Sequence, residues 1–198
     1  MPRRRRRGSA AVVVAASSPG GQAGTDENSP PYQVAQRKDT YELRIYGGYY
    51  VAAAPYSNRE QGIASLMEYV EGGNEDAISF PATQPLIMRY VEDGDGNLGK
   101  SMELSLGKGV TDPPAPTAPG VSVAAAGGEL MAVVGFEGIA TPELAGQYRR
   151  LLTAALEADG LQVDNPKAFR LATYGQLYSL KPRLNELLLK VKLPQQGA

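Results

Sequence analysis

The sequence predicts an α+β protein with two amphipathic helices, built from two ββαββ pseudo-repeats that pack into a single core. Short β-prone runs alternate with turn signals along the chain. Two Gly-Gly pairs, Gly47-Gly48 and Gly127-Gly128, each sit between two such runs. Behind each pair comes one stretch with helical periodicity and capping residues.

Residues 1–31 are expected to lie outside this fold. They hold Arg3 to Arg7, then Ala, Val and Ser, and have no acid before Asp26. A basic, Ser- and Ala-containing, acid-poor start is the composition of an organelle transit peptide, and a chloroplast address is the expectation, with a cytoplasmic home as the alternative. A nuclear-localisation-like basic cluster or a disordered tail are the other two readings of the same residues.

The folded domain is expected over residues 32–198, with halves at about 41–110 and 120–193. In the first half, Tyr41 to Tyr46 and Tyr49 to Ala53 flank Gly47-Gly48 and read as a hairpin, since a two-residue primed turn needs positive φ. A helix should start at Ser57, with Glu60 three residues on as a capping box. Its apolar residues Ile63, Leu66, Met67 and Val70 fall on one stripe, and Gly72-Gly73 stops it. Strands at Pro85 to Val91 and Ser101 to Leu106 flank Asp93-Gly94-Asp95-Gly96-Asn97. That run fails as a calcium loop: Leu98 stands where Gly is needed and Leu104 where Glu should close the shell, so it reads as a turn.

Asp112-Pro113-Pro114-Ala115-Pro116 reads as a stiff linker. Beyond it, Val121 to Ala124 and Leu130 to Val134 flank the second Gly-Gly pair. Thr141 caps the second helix with Pro142 at its first position, Leu144, Tyr148, Leu151, Leu152 and Ala155 form its buried stripe, and Gly160 ends it. Strands at Phe169 to Tyr174 and Asn185 to Leu193 close the pattern.

Composition narrows the function. With 198 residues and 42% apolar side chains the chain is long enough for a core. It has neither Cys nor His, which removes disulfides, zinc–thiolate sites and every Ser–His or Cys–His arrangement. Paired carboxylates and a glycine-rich phosphate loop are missing too, so a non-catalytic binding domain is expected. Five of the 20 basic and two of the 21 acidic residues lie in the first 31, leaving the remainder mildly acidic. An acidic surface does not suit nucleic acid, and no apolar run is long enough to span a membrane. A soluble monomer is the expectation. The 11 tyrosines read chiefly as half-buried strand residues with wet hydroxyls.

Several segments resemble one known family. Tyr41-Glu42-Leu43-Arg44, Met67-Glu68-Tyr69-Val70-Glu71-Gly72-Gly73-Asn74, Pro113 to Pro116, Val134-Gly135-Phe136-Glu137-Gly138, and Ala172-Thr173-Tyr174 followed by Arg183-Leu184-Asn185-Glu186 are similar, in order and spacing, to the SOUL haem-binding proteins over about residues 32–193. The resemblance implies a distorted antiparallel β-barrel carrying the two helices, and non-covalent binding of haem or another tetrapyrrole in an apolar surface groove beside the first helix, as carrier, buffer or sensor. It implies a groove of Ile63, Leu66, Met67 and Val70, with Lys181 and Arg183 meeting the propionates. From the residues alone the same stripe also reads as core packing. Glu68 stands where relatives often carry Lys, and with no His the iron has only Tyr, Met or no axial ligand. The alternative is a protein-interaction or lipid-associated domain that keeps the fold without the ligand.

Overall fold

A computed structural model describes residues 29–175 and 183–192; the expectations for residues 1–28 and for Lys181 lie outside them. The described residues form β1 (Tyr32–Arg37), β2 (Glu42–Tyr46), β3 (Tyr49–Pro55), α1 (Arg59–Val70), β4 (Leu86–Glu92), β5 (Leu98–Ser105), β6 (Ser122–Ala126), β7 (Glu129–Gly138), α2 (Pro142–Ala158), β8 (Ala168–Thr173) and β9 (Arg183–Lys190). The nine strands join in one antiparallel sheet, β1-β2-β7-β9-β8-β4-β5-β3-β6, which curls into a half-barrel.

The expected Gly-Gly hairpins are corrected by this order, because β2 does not pair with β3, nor β6 with β7. Instead β2 pairs with β7 and β3 with β6. Tyr46 faces Glu129 and Tyr49 faces Ala126, so one antiparallel register runs straight through both Gly-Gly pairs. Each pair is a corner in a long bent strand. Gly47 and Gly48 are absent from the positive-φ positions a primed turn needs, whereas Gly127 and Gly128 have φ of +93° and +69°. The two corners touch: the Gly128 N–H donates to the Tyr46 carbonyl at 2.8 Å. Each half of the chain thus lends its first strand to the other half, and neither is a self-contained unit.

The start of α1 also moves. Asn58 rather than Ser57 is the cap, its Oδ1 accepting from the N–H groups of Glu60 (2.9 Å) and Gln61 (3.3 Å), because an Asn amide oxygen reaches two orphan donors of the first turn. At the other end the Gly73 N–H donates to the Glu68 carbonyl at 2.8 Å, and a Cβ at Gly73 would lie 2.7 Å from that oxygen. Only glycine fits so close an approach. The second helix begins as its sequence predicts, with Thr141 Oγ1 accepting from the Leu144 N–H and Pro142 following. In the β4–β5 turn, the Asn97 side-chain amide donates to Asp93 Oδ2 and the N–H groups of Asn97 and Asp95 donate to Asp93 Oδ1, and these bonds hold the Asp93 carboxyl below its usual range.

Both helices lie on one face of the sheet, α1 on β3 and β5, α2 on β7 and β9. The main core between them includes Leu66, Met102, Leu152, Leu156 and Leu187, all fully buried. Burying each such side chain stabilises the fold by about 1.5–3 kcal/mol. A smaller core on the helix-free face joins Tyr46, Tyr49, Ile87, Met131 and Leu188. The chain already packs on this face before Tyr32: Ser29 is 6% exposed, and the Pro31 carbonyl accepts from Gly47 N–H.

Candidate functional site

The α1 stripe divides. Leu66 and Val70 are 0% and 8% exposed and belong to the core, while Ile63 and Met67 are half-buried and pack against its margin. The division follows from the tight seat of the helix: a Cβ at Gly62 would come within 2.9 Å of Tyr56 Cβ and 3.1 Å of Met102 Sδ. Tyr69, one residue before Val70, is also buried. Its hydroxyl donates to the Pro114 carbonyl at 2.9 Å, and its ring stacks on Phe80 with centroids 5.5 Å apart. The exposed side of α1 carries Glu60 and Glu68.

Asn74 secures the turn after α1. Its Nδ2 donates to the carbonyls of Tyr69 and Ile78, and its Oδ1 accepts from the Ile78 N–H. The Glu68-to-Asn74 segment that carries part of the family resemblance is therefore locked into one shape by its own backbone.

Of the cationic pair, Lys181 lies outside the described residues. Arg183 opens β9, opposite Gly138 on β7 and half-buried. The four α1 residues are brought together by their helix, but Arg183 sits on a strand packed beneath α2 rather than α1.

A second group of residues went unnoticed in the sequence. On the helix-free side, the buried Arg44 guanidinium is held by Glu42 (Nε–Oε2 2.9 Å) and by Glu186 through two parallel bonds of 3.0 and 2.8 Å. The Tyr174 hydroxyl donates to Glu186 Oε2 at 2.7 Å, and the Tyr32 ring lies 4.4 Å from the guanidinium carbon. Burial disfavours the charged guanidinium, but the Glu186 carboxylate outweighs it and raises the Arg44 pKa. Burial likewise pushes the Tyr46 and Tyr174 hydroxyls upward. None of these buried side-chain atoms lacks a hydrogen-bond partner, and the group ties β2, β8 and β9 together. Arg170–Glu129 (2.7 Å) and Arg89–Glu103 (3.0 Å) continue the ionic strip along the same face.

Two buried side-chain atoms lack a partner among the described residues, Thr173 Oγ1 and Asn185 Oδ1, facing each other on β8 and β9. No group of three or more potential metal ligands occurs among the described residues, and none of their helices is long and apolar enough to cross a membrane. An opening of about 670 Å³ runs along α2 and reaches Leu189 of β9.

A family model described as SOUL heme-binding protein matches residues 27–190. No curated protein matches the chain. Among solved structures, an uncharacterized conserved protein from Listeria innocua is similar with a TM-score of 0.59 at 13% identity, covering 78% of this chain and 93% of the other. A protein described as a hydrolase from the same organism gives 0.56 at 15%, covering 80% and 94%. The EcmrR C-terminal domain gives 0.56 at 13%, covering 81% and 98%. At such identities these likenesses extend to the fold alone.

Proposed function

The chain belongs to the SOUL haem-binding protein family, and from that premise we propose that it binds haem or a related tetrapyrrole non-covalently, as a carrier, buffer or sensor. The observation that carries this is the family match over residues 27–190. In this reading Ile63 and Met67, the half-buried members of the α1 stripe, offer the macrocycle an apolar platform, while Leu66 and Val70 support it from beneath. Lys181 and Arg183 orient the propionates.

The donor set limits what the iron can add. With no His or Cys in the chain, the residues fit a flat apolar ring and leave only Tyr, Met or no protein ligand for iron. Binding then comes from apolar area removed from water, worth about 25 cal/mol per Å², and a metal-free porphyrin should bind as well as haem. The chloroplast address read from residues 1–31 belongs to the same proposal, tested by fusing them to a fluorescent protein and measuring import into isolated chloroplasts.

The test of function is titration of the full chain with hemin and, in parallel, protoporphyrin IX, following the Soret band and tyrosine fluorescence. Saturable 1:1 binding of both, weakened in Lys181→Glu/Arg183→Glu, supports the proposal. Saturable binding of neither overturns it. That outcome would favour the second reading, a protein-interaction domain that has kept the fold without the ligand. Two observations favour that second reading: the exposed Glu68 beside the proposed platform and the commitment of Leu66 and Val70 to the core.

A further inference from the structure

We propose that the cleft along α2 is a separate binding site for a free, elongated, amphipathic organic acid with a hydrogen-bond donor at its far end. The proposal does not depend on tetrapyrrole binding and concerns the opposite helix. The cleft holds about 670 Å³, within the size range of small-molecule sites.

Both walls are fixed before any ligand arrives. One is the outer face of α2, where Gly146, Arg150, Thr153 and Glu157 follow at helical spacing. The other is the segment 161–166, pinned to the end of α2 and to the end of β9. The Leu161 N–H donates to the Leu156 carbonyl at 2.9 Å, the Asp164 N–H to Lys190 at 2.8 Å, and the Lys192 N–H to the Gln162 carbonyl at 2.9 Å. Val163 also bridges to Val191. Arg149 ties the two walls together, its Nη2 donating to the Pro166 carbonyl while its guanidinium lies 4.9 Å from the Phe169 ring. A preformed site spares the ligand the ordering cost of closing a loop.

The lining specifies the ligand. Leu161 and Val163, both half-buried, supply the apolar surface, with the core residue Leu189 closing the cleft beneath them. Around the rim, the side chains of Arg150, Thr153, Glu157 and Gln162 make no hydrogen bond or ion pair among the described residues. Gly146 has no side chain, and a Cβ there would lie 3.5 Å from Arg150 Nη1, so the guanidinium can lie against the helix at the mouth. Arg150 and Glu157 are seven residues apart, about 10 Å along the helix axis. A carboxylate at the Arg150 end forms a charge-assisted bond. Glu157 at the other end repels a second anion and accepts from a donor. The fitting ligand is thus a monoacid with an apolar body about 10 Å long and a hydroxyl or amine opposite its carboxylate.

The experiment titrates the full, isotope-labelled chain with 10-hydroxydecanoate, decanoate and decanol, following backbone amide shifts. Saturable shifts confined to residues 146–157 and 161–163 are expected, with 10-hydroxydecanoate tighter than decanoate and decanol weakest. Arg150→Glu should weaken binding at least tenfold, Arg150→Lys much less, and Ala154→Trp should fill the cleft and abolish it. Glu157→Gln should remove the preference for the hydroxy acid. These positions are at the surface, so unchanged circular dichroism and melting establish that each variant is folded. Saturable shifts on α1 instead, equal affinity for decanol, or an unaffected Arg150→Glu variant would each overturn the proposal, as would no saturable shift at all. Loss of hemin binding with the α2 shifts intact would overturn only the tetrapyrrole function.

Discussion

The guanidinium of Arg44 and the carboxylate of Glu186 face each other in parallel, at 3.0 and 2.8 Å, across 142 residues of sequence. The contact ties β2 to β9 across the intervening β7. Side-chain exposure is 2% for Arg44 and 1% for Glu186, so neither charge has water to fall back on.

Removing Glu186 takes two of the three charge-assisted bonds from the buried guanidinium and leaves it Glu42 alone. Glu186→Leu is expected to destabilise the protein by about 3–5 kcal/mol, and Arg44→Met/Glu186→Leu by less, because in the double variant the one buried charge left, Glu42, keeps Arg37 at 3.3 Å. Urea unfolding of the three proteins checks this. A double variant no better than the single would mean the pair contributes more than it costs to desolvate.

The corner at Gly127 makes a second expectation. A Cβ there would lie 1.8 Å from the Gly47 carbonyl oxygen, at a φ of +93°. Gly48, on the facing strand, has nothing within 4 Å. Gly127→Ala should cost more than about 3 kcal/mol, combining the strained φ with a forced backbone shift. Gly48→Ala should change stability by less than about 1 kcal/mol. Were these Gly pairs hairpin tips, the two substitutions would behave alike, so equal denaturation midpoints would contradict the crossed pairing.

That corner also shows where sequence reasoning stopped. Alternation and capping are local, and they gave α2, the β4–β5 turn and the approximate places of eight strands. Pairing is non-local, and Gly-Gly between two β-prone runs fits a corner as well as a hairpin. Strand β1 escaped notice because it is an edge strand in which the alternation begun by Tyr32 and Val34 is lost at Gln36. Arg44 and Glu186 each look locally like solvated charges, and only the fold reveals them as partners. For the α1 stripe, periodicity marked the correct face but could not divide Leu66 in the core from Met67 at its margin.

Alkaline titration tests the helix-free core. Burial is the leading cause raising the hydroxyl pKa of Tyr46, Tyr49 and Tyr174, with Tyr49 pushed up to about 12. A folded-state pKa above the unfolded value contributes stability that is complete below pH of about 10 and lost as pH rises through the folded value. Stability should therefore fall steeply above about pH 10. Tyrosinate absorbance from these residues should appear together with loss of circular dichroism. Their full ionisation near pH 10 in a protein still folded would refute the buried placement.

The last prediction separates support from contact on α1. Leu66 is 0% exposed within the main core, so Leu66→Ala should cost about 2–5 kcal/mol through the cavity it leaves. Met67 sits at the core margin with part of its side chain in water, and Met67→Glu should cost about 1 kcal/mol or less. If the proposed platform is correct, hemin affinity should move the other way. A carboxylate at position 67 places charge against an apolar ring and should weaken binding more than tenfold, whereas Leu66→Ala, measured well below its melting temperature, should bind hemin within about threefold of wild type. Thermal melts and Soret titrations on the same preparations read both quantities. A Met67→Glu variant that melts normally and binds hemin undiminished would remove Met67 from the ligand site, and the same result for Ile63→Glu, the other half-buried residue of the stripe, would remove α1.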